Sequence, residues 1–173
     1  MDNLALIIHV LSASVLLGGQ VLLFFAVTPS TWLIDDERLR RSVTRVVVRR
    51  FGKMTVGALG LLVLTGLYQF VTIVPEPVQR NMGDYRFGPA FIAKMALLLL
   101  FVALVAVHGI YFGRRIGRAS EAVAEGGSDE AVRRLDDLRR TSLVFSLLMV
   151  LVTVGVVALG VVVGNATYAY VER

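Results

Sequence analysis

The chain has 173 residues, of which 56% are hydrophobic, and its mean hydropathy of +0.73 exceeds that of soluble domains, whose composition is roughly half apolar. It contains no cysteine, which excludes disulfides, thiolate metal sites and covalent haem attachment. The formal net charge is +5, but nucleic-acid binding is not indicated, because the arginines flank apolar segments instead of forming a separate basic fold.

Four long apolar segments follow one another along the chain. Hydrocarbon cannot solvate backbone N–H and C=O groups, so apolar segments of roughly 20 residues must close their own hydrogen bonds as helices. The sequence therefore predicts an all-α, polytopic membrane protein, with residues 1–173 forming a single domain. Its four helices form an antiparallel bundle, and the predicted spans are residues 4–27, 54–74, 91–113 and 141–163.

Charge predicts the orientation of these spans. Seven basic residues lie between the first and second spans and seven between the third and fourth, whereas the connection between the second and third holds only Arg80 and Arg86. Because positive loops stay in the cytoplasm, we expect both basic loops to be cytoplasmic and both termini to lie outside the plasma (inner) membrane.

The fourth helix is predicted to extend into the cytoplasm. Ser128, Asp129 and Glu130 are typical of a helix start, and no residue after them breaks the helix before the fourth span. Gly126 and Gly127 are the predicted break between the third helix and this extension.

His9 and Lys94 are the ionisable residues that the sequence places inside the outer end of a span. Such side chains cost several kcal/mol at membrane depth unless they are paired, neutralised or bound to something. In alternating spans the first and third helices run in parallel. His9 lies about 5 residues into the first and Lys94 about 3 into the third, so they differ by only a few ångströms in depth. We therefore expect them to face each other.

Two histidines in a small helical protein favour haem binding, because haem iron takes axial ligands from opposite faces at similar depth. His108 lies roughly 18 Å deeper than His9, so one haem cannot take both histidines. The predicted metal ligands are His9 and Lys94, with His108 and Met54 as a less favoured inner pair. Further residues predicted to line the outer site are Ser12, Tyr68, Gln69 and Asn165.

Simpler roles exist for each of these residues. Lys94 can extend its ammonium to lipid headgroups, and His9 can be a structural histidine bonded to a neighbouring helix. His108 is expected to be a satisfied interfacial residue. The glycines of the second and fourth helices, which include Gly66 and Gly160, are expected to allow close helix packing.

Three segments resemble the CopD-like superfamily, which includes copper-resistance CopD membrane domains and HemJ-type protoporphyrinogen oxidases. They are the stretch from His9 to Gln20, Leu64-Thr65-Gly66, and Phe91-Ile-Ala-Lys94 followed by His108. In HemJ-type proteins a histidine of helix one and a lysine of helix three act together and haem b is bound. The resemblance therefore implies this role for His9 and Lys94.

The sequence thus favours an integral membrane b-type haem protein with His9 as axial ligand and Lys94 as its partner. Its function would be electron transfer, or oxidation of a quinol or porphyrinogen, at an outward-facing site. Two alternatives remain open. One is a non-catalytic structural subunit of a larger membrane (respiratory) complex or a homo-oligomer, and the other is a copper or small-solute permease. Whether the protein is an enzyme is left undecided.

Overall fold

The computed structural model describes residues 2–172, which are almost entirely helical. The first apolar segment forms α1 (Asp2–Leu22), a π-helical turn (Leu23–Val27) and α2 (Thr28–Thr31). The second segment lies in α3 (Glu37–Thr72).

The connection that follows holds α4 (Glu76–Arg80) and a short 3-10 turn (Met82–Asp84). The third apolar segment forms α5 (Phe87–Val107), a second π-helical turn (His108–Phe112) and α6 (Gly113–Ala124). The remaining helices are α7 (Asp129–Gly164) and α8 (Ala166–Ala169).

Four of the helical stretches within residues 2–172 are long and apolar enough to cross a membrane. Their apolar side chains mostly point outward, and in the most apolar window of Phe87–Ala124 only 6% of the residues are buried. A surface of this kind is stable only where the surrounding solvent is itself apolar. The predicted all-α fold with four membrane-spanning helices is therefore confirmed.

The long helices extend beyond the predicted spans. α5 begins at Phe87, before Pro89, because a proline is tolerated in the first turn of a helix, where its missing N–H has no partner to lose. The helical course also continues past Arg114 and Arg115 to Ala124. Arginines end the apolar part of a span, but they are good helix formers and do not end the helix.

The break after α6 lies where the glycines predicted it. Gly126 has a φ of +96°, a conformation that side chains disfavour. α7 then starts with Ser128 as its cap, since the Ser128 hydroxyl accepts a hydrogen bond from the Ala131 N–H at 3.4 Å. The cytoplasmic position of this part of α7 stays a prediction.

The contacts divide the chain into two units. The first unit comprises residues up to 17, 54–101 and from 152 onward. Its core is built around Val78, Phe87 and Ala169, each no more than 3% exposed. Phe91 stacks on Phe87 and on Phe70, with ring centroids 5.3 and 5.2 Å apart. These aromatic contacts fix the first turns of α5, the helix that carries Lys94.

Gly88 is packed against the backbone of the 3-10 turn. A Cβ at this position would lie 2.1 Å from the Met82 carbonyl oxygen, so only glycine fits there. Next to it, the Arg86 N–H donates to the Val171 carbonyl at 3.1 Å, which holds the C-terminal segment against the start of α5.

The second unit comprises residues 18–53 and 102–151 and is held by a buried carboxylate. Glu37, at the start of α3, accepts hydrogen bonds from Ser120 at 2.5 Å and Arg139 at 2.6 Å, and it pairs with Arg40 at 3.5 Å. Its side chain is only 13% exposed. One anionic group therefore joins α3, α6 and α7, and charge-assisted bonds of this kind are the strong ones.

Gly88→Ala should destabilise the protein, because the added methyl group cannot avoid the Met82 backbone. Overpacking of this kind costs about 2 kcal/mol, which corresponds to a fall of roughly 4–8 °C in the unfolding midpoint of the detergent-solubilised protein. Gly83→Ala is the matched control, because no atom lies within 4 Å of a Cβ at position 83. Equal midpoints for the two variants would contradict the packing assigned to Gly88.

Candidate functional site

His9 lies on α1 within the first unit and is half-buried. Its Nδ1 atom is 2.8 Å from the hydroxyl oxygen of Thr65 on α3. Thr65 in turn donates to the Leu61 carbonyl at 2.6 Å, and the imidazole also interacts with the Leu62 carbonyl. His9 is thus held by α3 on one side of its ring.

Gly66 makes room for the His9 ring. A Cβ at this position would lie 3.2 Å from His9 Cε1 and 3.8 Å from Nδ1. The imidazole therefore packs directly over the α3 backbone, next to Thr65. Close packing was expected of Gly66, but what fills the space is the ring of His9.

Lys94 lies on α5, in the third of the four long apolar helices. Its Nζ is 3.6 Å from where a Cβ at Gly160 of α7 would lie, so the side chain runs over that glycine. Lys94 and His9 are close enough to interact electrostatically. Among the ion pairs within residues 2–172, none involves Lys94, so its amine lacks a carboxylate partner there.

The other residues predicted for the outer site are also in the first unit. Gln69 lies one turn beyond Thr65, and its buried Nε2 finds no acceptor among the described residues. Ser12 is buried at 5% exposure, and Tyr68 is 36% exposed. Asn165 is exposed at the end of α7, where its side chain accepts a hydrogen bond from Thr167 at 2.6 Å.

His108 belongs to the second unit and opens the π-helical turn of the third segment. Its ring stacks on Phe145 at 5.9 Å and lies 5.7 Å from Phe112. We expected the ring nitrogens of His108 to have hydrogen-bond partners. Its Nδ1 is buried and has no partner among the described residues, so the expectation is wrong for this atom. Met54 lies in the first unit and is 45% exposed, and its pairing with His108 stays a prediction.

Sequence patterns do not predict that Thr65 and Gly66 adjoin His9 or that Gly160 adjoins Lys94. Depth along a helix follows from residue number, but the side chains that face His9 and Lys94 depend on how each helix is rotated. A usable signal existed for Gly160, which lies at the same depth below the outer end of its predicted span as Lys94 does. A small or hydroxyl-bearing residue at that depth is a candidate neighbour. Thr65 and Gly66 lie deeper in their span than His9 does in its own, so depth alone does not select them.

No group of three or more His, Cys, Asp or Glu residues that could hold a metal ion occurs in the part of the chain that the structure describes.

Comparison with known proteins gives one family. Neither the curated proteins nor the solved structures contain a match to this chain. The family model of CopD, copper resistance protein D, matches residues 45–160, which include Thr65, Gly66, Lys94, His108 and Gly160 but not His9. Since the match covers well over half of the chain and its four long helices are apolar, the chain is an integral membrane protein that belongs to the CopD family.

Proposed function

We propose that this protein binds haem b in the membrane, with His9 as an axial ligand of the iron and Lys94 as its partner. The observation that carries the proposal is the hydrogen bond between His9 and Thr65, because it determines which ring nitrogen can bind a metal.

Because of this hydrogen bond, Nε2 is the His9 ring nitrogen whose lone pair is available to a metal. A threonine hydroxyl has one hydrogen, and that of Thr65 is directed to the Leu61 carbonyl at 2.6 Å. Thr65 can therefore only accept from His9, so Nδ1 carries the proton. In a neutral imidazole protonated at Nδ1, the lone pair for a metal is on Nε2.

The remaining side chains fit a haem by their chemistry. Among the described residues, Lys94 has no carboxylate partner and the buried Gln69 Nε2 has no acceptor. Buried donors of this kind are costly unless a ligand or water accepts from them, and haem propionates are such acceptors. An amine can also serve as the second axial ligand when it is neutral. Bound haem would supply one-electron exchange, whose potential depends on ligand identity and burial.

We further propose that the site faces outward and exchanges electrons with a quinol or porphyrinogen. The positive-inside distribution supports this orientation, because it puts the basic loops on the cytoplasmic side and the His9 end of α1 outside.

Copper binding is the second candidate function, and the family match favours it, since the family is described by copper resistance. The same His9 Nε2 would be one copper ligand, because imidazole suits copper as well as iron. Metal analysis of the purified protein separates the two candidates.

His9→Ala should abolish the reduced-minus-oxidised haem b spectrum of the purified protein, leaving less than about a tenth of the wild-type haem, because the iron loses the ligand that the chain supplies. His108→Ala removes the other imidazole, in the second unit, and is the matched control that should keep the spectrum. Iron and copper per chain are measured in the same samples.

An unchanged haem spectrum in His9→Ala would rule out His9 as the ligand. Copper in place of iron at one per chain, lost in His9→Ala and kept in His108→Ala, would support the copper function instead.

Thr65→Val should change the tautomer of His9, because valine has a similar shape but accepts no hydrogen bond. The measurement is the ¹⁵N NMR spectrum of histidine-labelled protein, purified without metal or haem and carrying His108→Gln so that a single imidazole remains. With Thr65 present, Nδ1 should carry the proton. Thr65→Val should shift the population toward protonated Nε2, whereas Thr65→Ser should retain the original tautomer. A spectrum that is the same in all three forms would contradict the assignment.

A further inference from the structure

The N-terminal half of α3 carries a row of basic residues that divides into two groups. The first group has partners within the second unit. Arg38 donates to the Ala124 carbonyl at 3.3 Å, and Arg41 pairs with Glu121 at 3.2 Å. Arg40 pairs with Glu37 and donates to backbone carbonyls. Each of these three arginines therefore has a hydrogen-bond or ion-pair partner within the fold.

The second group has no such partners. Arg45, Arg49 and Arg50 are exposed, and no ion pair within residues 2–172 involves them. Together with Ser42 and Val46 they line a groove of about 280 Å³. At about 100° per residue, these five positions fall within roughly 140° of the helix circumference. Three positive charges and a hydroxyl are thus gathered on one side of α3 without an anion.

The surroundings of this groove favour a lipid as the source of the anion. After Lys53 the same helix enters its apolar part, where Val56 and Leu64 are 72% and 66% exposed. Counted to Met54, the start of the predicted span, Arg49 and Arg50 therefore precede the span by about one turn and Arg45 by about two and a half turns. Phosphates of phospholipids are the negative groups found at this level of a membrane, and basic side chains next to a span attract anionic lipids.

We propose that the groove formed by Ser42, Arg45, Val46, Arg49 and Arg50 binds the phosphate of an anionic phospholipid. Arg45 and Arg49 are one helical turn apart, so both guanidinium groups can donate to one phosphate, and arginine suits bidentate contacts with phosphate oxygens. The Ser42 hydroxyl adds a donor at the end of the groove. This lipid site is separate from the His9 and Lys94 site and does not depend on the proposed function.

The test measures lipid binding to the full-length protein in neutral detergent by native mass spectrometry. Phosphatidylglycerol and phosphatidylcholine with identical acyl chains are compared, and inorganic phosphate is added in a separate arm. We expect phosphatidylglycerol to bind in preference to phosphatidylcholine. Arg45→Gln/Arg49→Gln should weaken that binding roughly tenfold or more, because each basic group at a membrane surface contributes about 1 kcal/mol.

Arg133→Gln/Arg134→Gln is the matched control. It also removes two exposed arginines that have no ion pair among the described residues. They lie in the first part of α7, about as far from its apolar part as Arg45 and Arg49 lie from that of α3, but they are not among the residues that line the groove. This variant should bind phosphatidylglycerol within about twofold of wild type. Arg45→Lys/Arg49→Lys keeps the charge and should retain most of the binding.

Three results would overturn the proposal. Equal binding of the two lipids would exclude an anionic headgroup site, and equal losses in the two Gln variants would show a general charge effect. Competition by millimolar inorganic phosphate that removes the lipid completely would identify free phosphate as the ligand.

Discussion

The site depends on one hydrogen-bonded series, in which His9 donates to Thr65 and Thr65 donates to the Leu61 carbonyl. In the apolar interior of a membrane protein, an imidazole without a partner is costly, so a histidine there needs a fixed donor or acceptor. Here the partner is on a neighbouring helix, and the α3 backbone satisfies the hydroxyl that receives the imidazole proton. The ring lies against Gly66, and we propose that its Nε2 is the nitrogen that binds a ligand.

The positively charged side chains of the chain form two groups, those that have a partner in the fold and those that have no acid partner among the described residues. Arginines at the start of α3 and in α7 are bound to Glu37 and to backbone carbonyls, which fixes the second unit. Lys94 in the first unit, and Arg45 and Arg49 beside the second span, have no acid partner among the described residues. We propose that Lys94 contacts a bound anionic or metal-containing group, and that Arg45 and Arg49 bind a lipid phosphate. In both cases cationic groups without an acid partner among the described residues point to the ligand.

Much of the fold follows from the sequence, because the bilayer leaves few alternatives. Apolar segments of sufficient length must be helices, and Gly126 marks the break before α7 as predicted. The helix ends were less predictable, since Pro89 is accommodated within the first turn of α5 and charged residues do not stop a helix. The similar depth of His9 and Lys94 could be calculated from residue numbers. The contact with Thr65 could not, because it depends on the rotation of α1 against α3, which pairs residues 56 positions apart.

The most direct test of the central claim is pulsed electron paramagnetic resonance of the oxidised protein labelled with ¹⁵N-histidine. The sample carries His108→Gln, so that His9 is the single imidazole in the chain. If His9 Nε2 binds the haem iron, the spectrum should show strong hyperfine coupling between the iron and one imidazole nitrogen. A haem signal without ¹⁵N coupling would contradict the account, because the iron would then be held by residues other than His9.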